Sequence, residues 1–176
     1  MAYPVKAVAN AFLDFAKAHG APLTPLKLQK LVYIAHGWHL GLFEDPLVSD
    51  ELPEAWQYGP VFPSLYRQFR TFGADPISRH ATELTHTRGF DFEESEPSVP
   101  VSDVRVMALL KKVWDQYGKY GGIGLSELTH QAGTPWDETR KESGGVQNAD
   151  ITNDMVRRHY KELIEKRRKS VAVTAG

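Results

Sequence analysis

Residues 26–72 read LKLQKLVYIAHGWHLGLFEDPLVSDELPEAWQYGPVFPSLYRQFRTF, and this stretch decides the fold. Leu28, Leu31, Ala35, Trp38 and Leu42 recur along one helical face, while Tyr33, Ile34 and Leu40 make the other faces apolar as well. A helix apolar nearly all round belongs at the centre of a domain, because each face needs a neighbour to keep it from water. Thr24 caps this helix, and Pro25 stands in its first turn, where a missing N–H loses no intrahelical bond. Pro46 and Pro53 then break the chain into a loop. Ala55-Trp56-Gln57-Tyr58 alternates as a short strand, Gly59-Pro60 turns it, and Pro63 opens a helix with Leu65, Tyr66, Phe69 and Phe72 inward. The stretch holds no recognisable catalytic grouping. Its aromatics, glycines and prolines build packing and corners.

Helical punctuation continues on both sides. Val5, Val8, Phe12 and Phe15 predict an amphipathic helix over residues 4–18, ended near Gly20. Residues 74–100 are the least regular part. Leu84 to Thr87 and Gly89 to Phe92 suit a weak hairpin around Arg88-Gly89, and the acidic run Asp91, Glu93, Glu94, Glu96 reads as a solvated loop leading into Pro97 and Pro100. Ser102 or Asp103 caps a helix carrying Val106, Leu110, Val113, Trp114 and Tyr117. Gly118 to Gly124 is a glycine-rich connector, and Ser126 opens a short helix through Gln131. Thr134-Pro135-Trp136-Asp137 is another helix start. Thr152 caps the last helix, with Ile151 and Val156 placed to staple it, and Val171 to Gly176 is expected to fray. The expectation is a mainly α fold: a compact helical domain of about six to seven helices with a small β-hairpin or short strands. One domain over residues 1–170 and a flexible tail over 171–176 accompany it.

Composition narrows the function classes. The 176 residues carry a net charge of −1, so no global field argues for nucleic acid or an anionic membrane. Cysteine is absent, which removes disulfides, thiolate-bound zinc and thiol catalysis. No run approaches the ~20 apolar residues of a membrane span, and the N-terminus lacks a signal-peptide pattern. A cytoplasmic protein is expected.

Candidate chemistry is thin. His36 and His39 share a helix face at a spacing a metal can use, or they are two interior histidines held by hydrogen bonds. The Gly118–Gly124 run differs from a phosphate loop, because its lysine precedes the glycines instead of opening a helix beside Ser or Thr. Ser64, Ser126 and Ser143 sit in caps or loops, with nothing to fix a base beside them. Arg157, Arg158, Lys161, Lys166, Arg167, Arg168 and Lys169 make the last helix basic. Nucleic acid is one reading of that face, and a solvated face complementing the helix dipole is the other. At the corner Leu128 to Trp136, His130 is expected to bond orphan carbonyls and Trp136 to pack inward. The alternative makes the corner one wall of a recognition surface. No catalytic residue, metal or cofactor is assigned.

Three blocks carry a family resemblance: LKLQKLVYIAHGWHL at 26–40, EAWQYGPVFPSLYRQF at 54–69 and LSELTHQAGTPW at 125–136. Their kind and order resemble the Panacea domain of SocA-like antitoxins and phage-associated GepA-type proteins, over roughly residues 5–165. The Asp75-Pro76-Ile77 step also fits that pattern. The resemblance implies a mainly helical antitoxin that neutralises a cognate protein toxin, encoded nearby, by direct contact. In one branch it delivers the toxin to the ClpXP protease. The family has no established catalytic residues to carry over, and regulation through DNA is less expected in so short a chain. The blocks mark Gln29, Lys30, Tyr33, Gly37, Trp38, His39, Trp56, Tyr58, Gly59, Pro60, Thr129, His130, Gly133, Pro135 and Trp136 as scaffold. Partner contact is then expected from variable loops, with Glu44, Asp45, Asp50, Glu51, Asp91, Glu93 and Glu94 able to steer a basic toxin. The oligomeric state is not legible.

Overall fold

The computed structural model of the chain describes residues 1–88 and 91–174, with side chains as far as Ala172. Among these residues are seven α-helices and two antiparallel strand pairs: α1 (Val5–Ala18), α2 (Pro25–Phe43), β1 (Glu54–Trp56), β2 (Gly59–Val61), α3 (Pro63–Phe69), β3 (Glu83–His86), β4 (Phe92–Ser95), α4 (Val104–Tyr117), α5 (Gly122–Thr129), α6 (Pro135–Glu142) and α7 (Asn153–Thr174). The mainly helical expectation holds. So does the central helix: every residue from Leu28 to Gly41 is buried, and α1, α3, α4, α5, α7 and β2 surround α2.

Close packing of α2 against α7 depends on two missing side chains. The Tyr160 ring lies on Gly37, and its Cβ and backbone lie on Gly41 beside Ile164, so that a β-carbon at either glycine would collide with it. Glycine costs helix propensity at both positions. That loss is offset by burial of a whole tyrosine, whose ring also meets Trp38 edge-on with centroids 5.3 Å apart. The caps follow the sequence. Thr24, Asp103 and Thr134 accept the backbone N–H groups of Lys27, Val106 and Asp137, at 3.4, 3.1 and 3.4 Å. Thr152 accepts that of Met155 at 3.4 Å, beside fully buried Ile151 and Val156.

Several expectations need correction. The middle of the acidic run is a strand: Glu93 and Glu94 pair with Thr85 and Leu84 in the β3–β4 ladder, while Asp91 and Glu96 flank it. All four β4 residues are exposed, so its pairing rests on backbone bonds and shows no alternation that a sequence reading can detect. Gly89 and Phe90, assigned to the same hairpin, lie outside the described residues. Asn10 of α1 holds the hairpin's base. Its amide donates to the carbonyls of Ala81 and Pro97 at 3.0 and 2.9 Å and accepts from Ala81 N at 2.8 Å. Beside it, His80 bridges Asp14 at 2.9 Å and Glu96 at 2.6 Å.

The Gly59-Pro60 corner is itself strand β2, paired with β1, and Gln57-Tyr58 makes the turn. Helix α5 begins at Gly122 rather than Ser126 and ends at Thr129, because its first turn presses on α2, with Lys27 N only 3.1 Å from where a β-carbon would stand. Leu42 and Tyr66 point outward, 46% and 44% exposed. The latter leans on Trp56, with ring centroids 4.8 Å apart. Helix α7 continues to Thr174, into the segment expected to fray.

Candidate functional site

The three sequence blocks converge on the β1–β2 hairpin. Trp136 Nε1 of α6 donates to the Trp56 carbonyl at 2.6 Å. Ser126 Oγ of α5 donates to the Tyr58 carbonyl at 2.6 Å. From α2, Lys30 Nζ donates to the Pro60 carbonyl at 2.8 Å, and Gln29 Nε2 to the Phe62 carbonyl at 3.0 Å. Four carbonyls at alternate positions, from Trp56 through the Gln57-Tyr58 turn to Phe62, thus each receive a side-chain donor, drawn from three helices. Gln29 completes a two-bond clasp by accepting Phe62 N at 2.9 Å. On the opposite edge, Ala55 N reaches the Ala149 carbonyl and Ile151 N the Pro53 carbonyl, both at 2.8 Å.

Lys30 is fully buried, and no carboxylate pairs with it among the described residues. Burial pushes its ammonium down to about 7. Gly59, at φ +98°, leaves the room its head occupies: a β-carbon there would stand 3.0 Å from Lys30 Nζ. Thr129 returns its hydroxyl to the Leu125 and Ser126 carbonyls at 3.0 Å each. These polar groups serve main-chain satisfaction, since a buried carbonyl without a donor is costly. Ser126, engaged with Tyr58, is not set up as a nucleophile.

His130 does not bond the carbonyls that end α5. Its backbone N–H does, reaching Ser126 O and Glu127 O, while the imidazole lies against Trp136 with centroids 5.2 Å apart and Nδ1 3.4 Å from Ser126 Oγ. Trp136 is half-buried, pinned through its indole N–H. Gly133, at φ +78°, gives its N–H to the Asp137 carboxylate at 2.8 Å, beside Pro135 in the first turn of α6. Tyr58 joins the scaffold only through its carbonyl; its ring is 67% exposed.

His36 and His39 are buried on α2 and hold separate partners. Val48 N donates to His36 Nδ1 at 3.2 Å, so the proton sits on Nε2 and goes to Asn153 Oδ1 at 2.8 Å. Burial pushes His36 down to about 4. His39 Nδ1 donates to the Asp45 carbonyl at 2.7 Å. Among the described residues, no three His, Asp or Glu side chains gather as a metal set. A cleft of about 510 Å³ opens between α2, α4, α5, α6 and α7, with Tyr33, Tyr117 and Tyr160 in its wall. Tyr117 Oη accepts from Trp38 Nε1 and from Arg167, both at 3.3 Å, whereas the buried Tyr33 hydroxyl has no partner. Burial pushes the pKa of the Tyr33 and Tyr160 hydroxyls up, which keeps both protonated.

The acidic loop residues divide into two groups. Asp50 accepts Val5 N at the start of α1 at 2.9 Å, and Glu51 holds Ser64 N at the start of α3 at 3.2 Å. Glu44, in the left-handed conformation that ends α2, pairs with Lys161 of α7 at 2.6 Å. Asp45 contributes its carbonyl to His39. Asp91, Glu93 and Glu94 are exposed at the β3–β4 hairpin.

A model of the family described as "Antitoxin SocA-like, Panacea domain" matches residues 28–137, and these contain all four donors to the hairpin. The chain belongs to the SocA-like Panacea antitoxin family. It is similar to Antitoxin SocA of Caulobacter vibrioides (strain NA1000 / CB15N), 36% identical over 132 residues that cover 75% of this chain and 68% of that protein. No solved structure matches it. The family match is narrower than the span of 5–165 that the sequence blocks suggest, and it leaves out α1 and α7.

Sequence reasoning missed Ser126 as a hairpin donor, Asn10 as the clamp on the second hairpin, and Lys30 as a buried uncompensated amine. Side-chain bonds to distant carbonyls follow no spacing rule, so nothing in the sequence signals the first two. The third had one signal, a lysine within an otherwise apolar helix.

Proposed function

We propose that the chain is the antitoxin of a toxin–antitoxin pair and neutralises a protein toxin by binding it directly, as a binding protein rather than an enzyme. Family membership carries the reading. The chemistry of the matched segment supports it, since its buried Gln29, Lys30, Ser126 and Thr129 are engaged in holding main-chain carbonyls of the hairpin and of α5. The toxin is expected to be encoded in the adjacent open reading frame, and the exposed carboxylates Asp91, Glu93 and Glu94 offer a basic partner a steering surface.

Co-expression with the adjacent gene product tests this. Growth arrest by the neighbour alone, relieved by this chain, together with co-purification of the two, is the expected result. A neighbour that is harmless alone, or equally toxic with the chain present, overturns it. The toxin's half-life with and without the ClpXP protease separates holding from delivery: an unchanged half-life means sequestration.

A further inference from the structure

A groove of about 420 Å³ lies between α2 and α4, with one contribution from α7. Arg105, Leu109, Lys112, Val113 and Gln116 of α4 line it at spacings that share one helical face. They extend for about 16 Å at 1.5 Å of rise per residue, enough for roughly three turns of a second helix. The α2 side is apolar, with Trp38 and Leu42, the latter 46% exposed.

The rim is cationic. Arg105 stands over the Phe43 ring at 4.8 Å and Arg167 over the Trp38 ring at 4.4 Å. Lys112 also lines the groove, and no acidic residue does. None of the three cations has a carboxylate within ion-pair distance among the described residues, although seven ion pairs form elsewhere among them. An aromatic face under a guanidinium holds it in place while leaving N–H donors for an anion, although Arg167 gives one of its donors to Tyr117 Oη at 3.3 Å.

We propose that this groove receives an acidic amphipathic helix of a partner protein. The helix lays apolar side chains on exposed Leu42 and Ala108 and half-buried Phe43, over the buried Leu109 and Val113 beneath, and sets carboxylates against Arg105, Lys112 and Arg167. Charge complementarity selects this occupant over a neutral or basic helix, and helix-in-groove recognition supplies apolar anchors at the same spacing. The inference rests on the antitoxin reading and adds the chemistry of the bound segment.

The test has two arms. In the first, the full chain is titrated with a labelled peptide of about fourteen residues carrying Leu and Glu at helical spacing, then with its Leu/Lys counterpart. Binding of the acidic peptide alone is expected, weakened about tenfold or more in Arg105→Glu/Lys112→Glu and unchanged in Lys166→Glu/Lys169→Glu. In the second arm, the groove pair is expected to abolish neutralisation in co-expression and the control pair to retain it. Both sites in each pair are exposed, and Arg105→Ala/Lys112→Ala repeats the test with smaller changes. Failure of the acidic peptide to bind, or equal binding by the groove variant, overturns the proposal. So does equal binding of single-stranded DNA, which makes the rim a general anion surface. Self-association that the groove variant abolishes overturns it too, in favour of a second copy. Neutralisation that survives the groove variant sinks the groove and leaves the antitoxin reading standing; peptide binding without any neutralisation does the reverse.

Discussion

Gln29 and Lys30 are adjacent polar residues at the start of a fully buried helical run, and each is buried because it completes a main chain. Replacing Gln29 with Leu strands both the N–H and the C=O of Phe62, and the expected loss of stability is about 2–4 kcal/mol by urea denaturation. Lys30 gives a pH signature. Its folded value of about 7 lies below the ordinary lysine value of 10.5, so between the two the unfolded chain binds more protons. Stability from this group therefore rises with pH across that window and is lost as pH falls towards 7. Comparison of wild type with Lys30→Met between about pH 7 and 9 is expected to show a difference growing by about 2 kcal/mol, the wild type gaining. His36 works in the acid range: its value of about 4 keeps the ring neutral where an ordinary histidine is charged. Its NMR resonances are expected to stay those of a neutral imidazole near pH 5. A ring already protonated there removes this account of the His36–Asn153 bond.

The pairing of α2 with α7 is where small residues matter most. Gly37→Val drives a side chain into the Tyr160 ring, and overpacking of this kind costs about 1–3 kcal/mol. In a double-mutant cycle with Tyr160→Ala, the two losses are expected to fall short of additive, because removing the ring removes the collision. Additive losses would mean the ring does not rest on that glycine. These helices were legible in the sequence because caps, prolines and a 3.6-residue period are local signals. Thr24, Asp103, Thr134 and Thr152 each cap where their spacing places them. Strand β4 was not legible: all its side chains face water, so nothing distinguishes it from an acidic loop. The start of α5 was hidden for a different reason. Gly122 and Gly124 are poor helix formers, and contact with α2 overrides their propensity.

Across the molecule, near-zero net charge conceals a division of labour. Carboxylates of the loop after α2 serve α1, α3 and α7, carboxylates of β4 stand in solvent, and unpaired cations gather over the α2–α4 groove. The triple reversal Asp91→Lys/Glu93→Lys/Glu94→Lys is expected to leave the melting temperature within about 2 °C, since exposed substitutions fall within about 0.5 kcal/mol. If those carboxylates steer the toxin, the same change slows association most at low salt. Family and fold were readable from ordered blocks, yet the surface that meets a partner was not, because exposure is a property of the folded chain. One further consequence concerns the strap of carbonyl acceptors along residues 56–62. Every amino acid carries that carbonyl, so the grip belongs to the helices that donate and, apart from Gly59, where Lys30 needs the room, it does not depend on the exposed side chains of the turn they hold. Gln57 and Tyr58, exposed at its tip, are free to change chemistry without loosening their own anchorage, a fixed mount whose contact point can be exchanged.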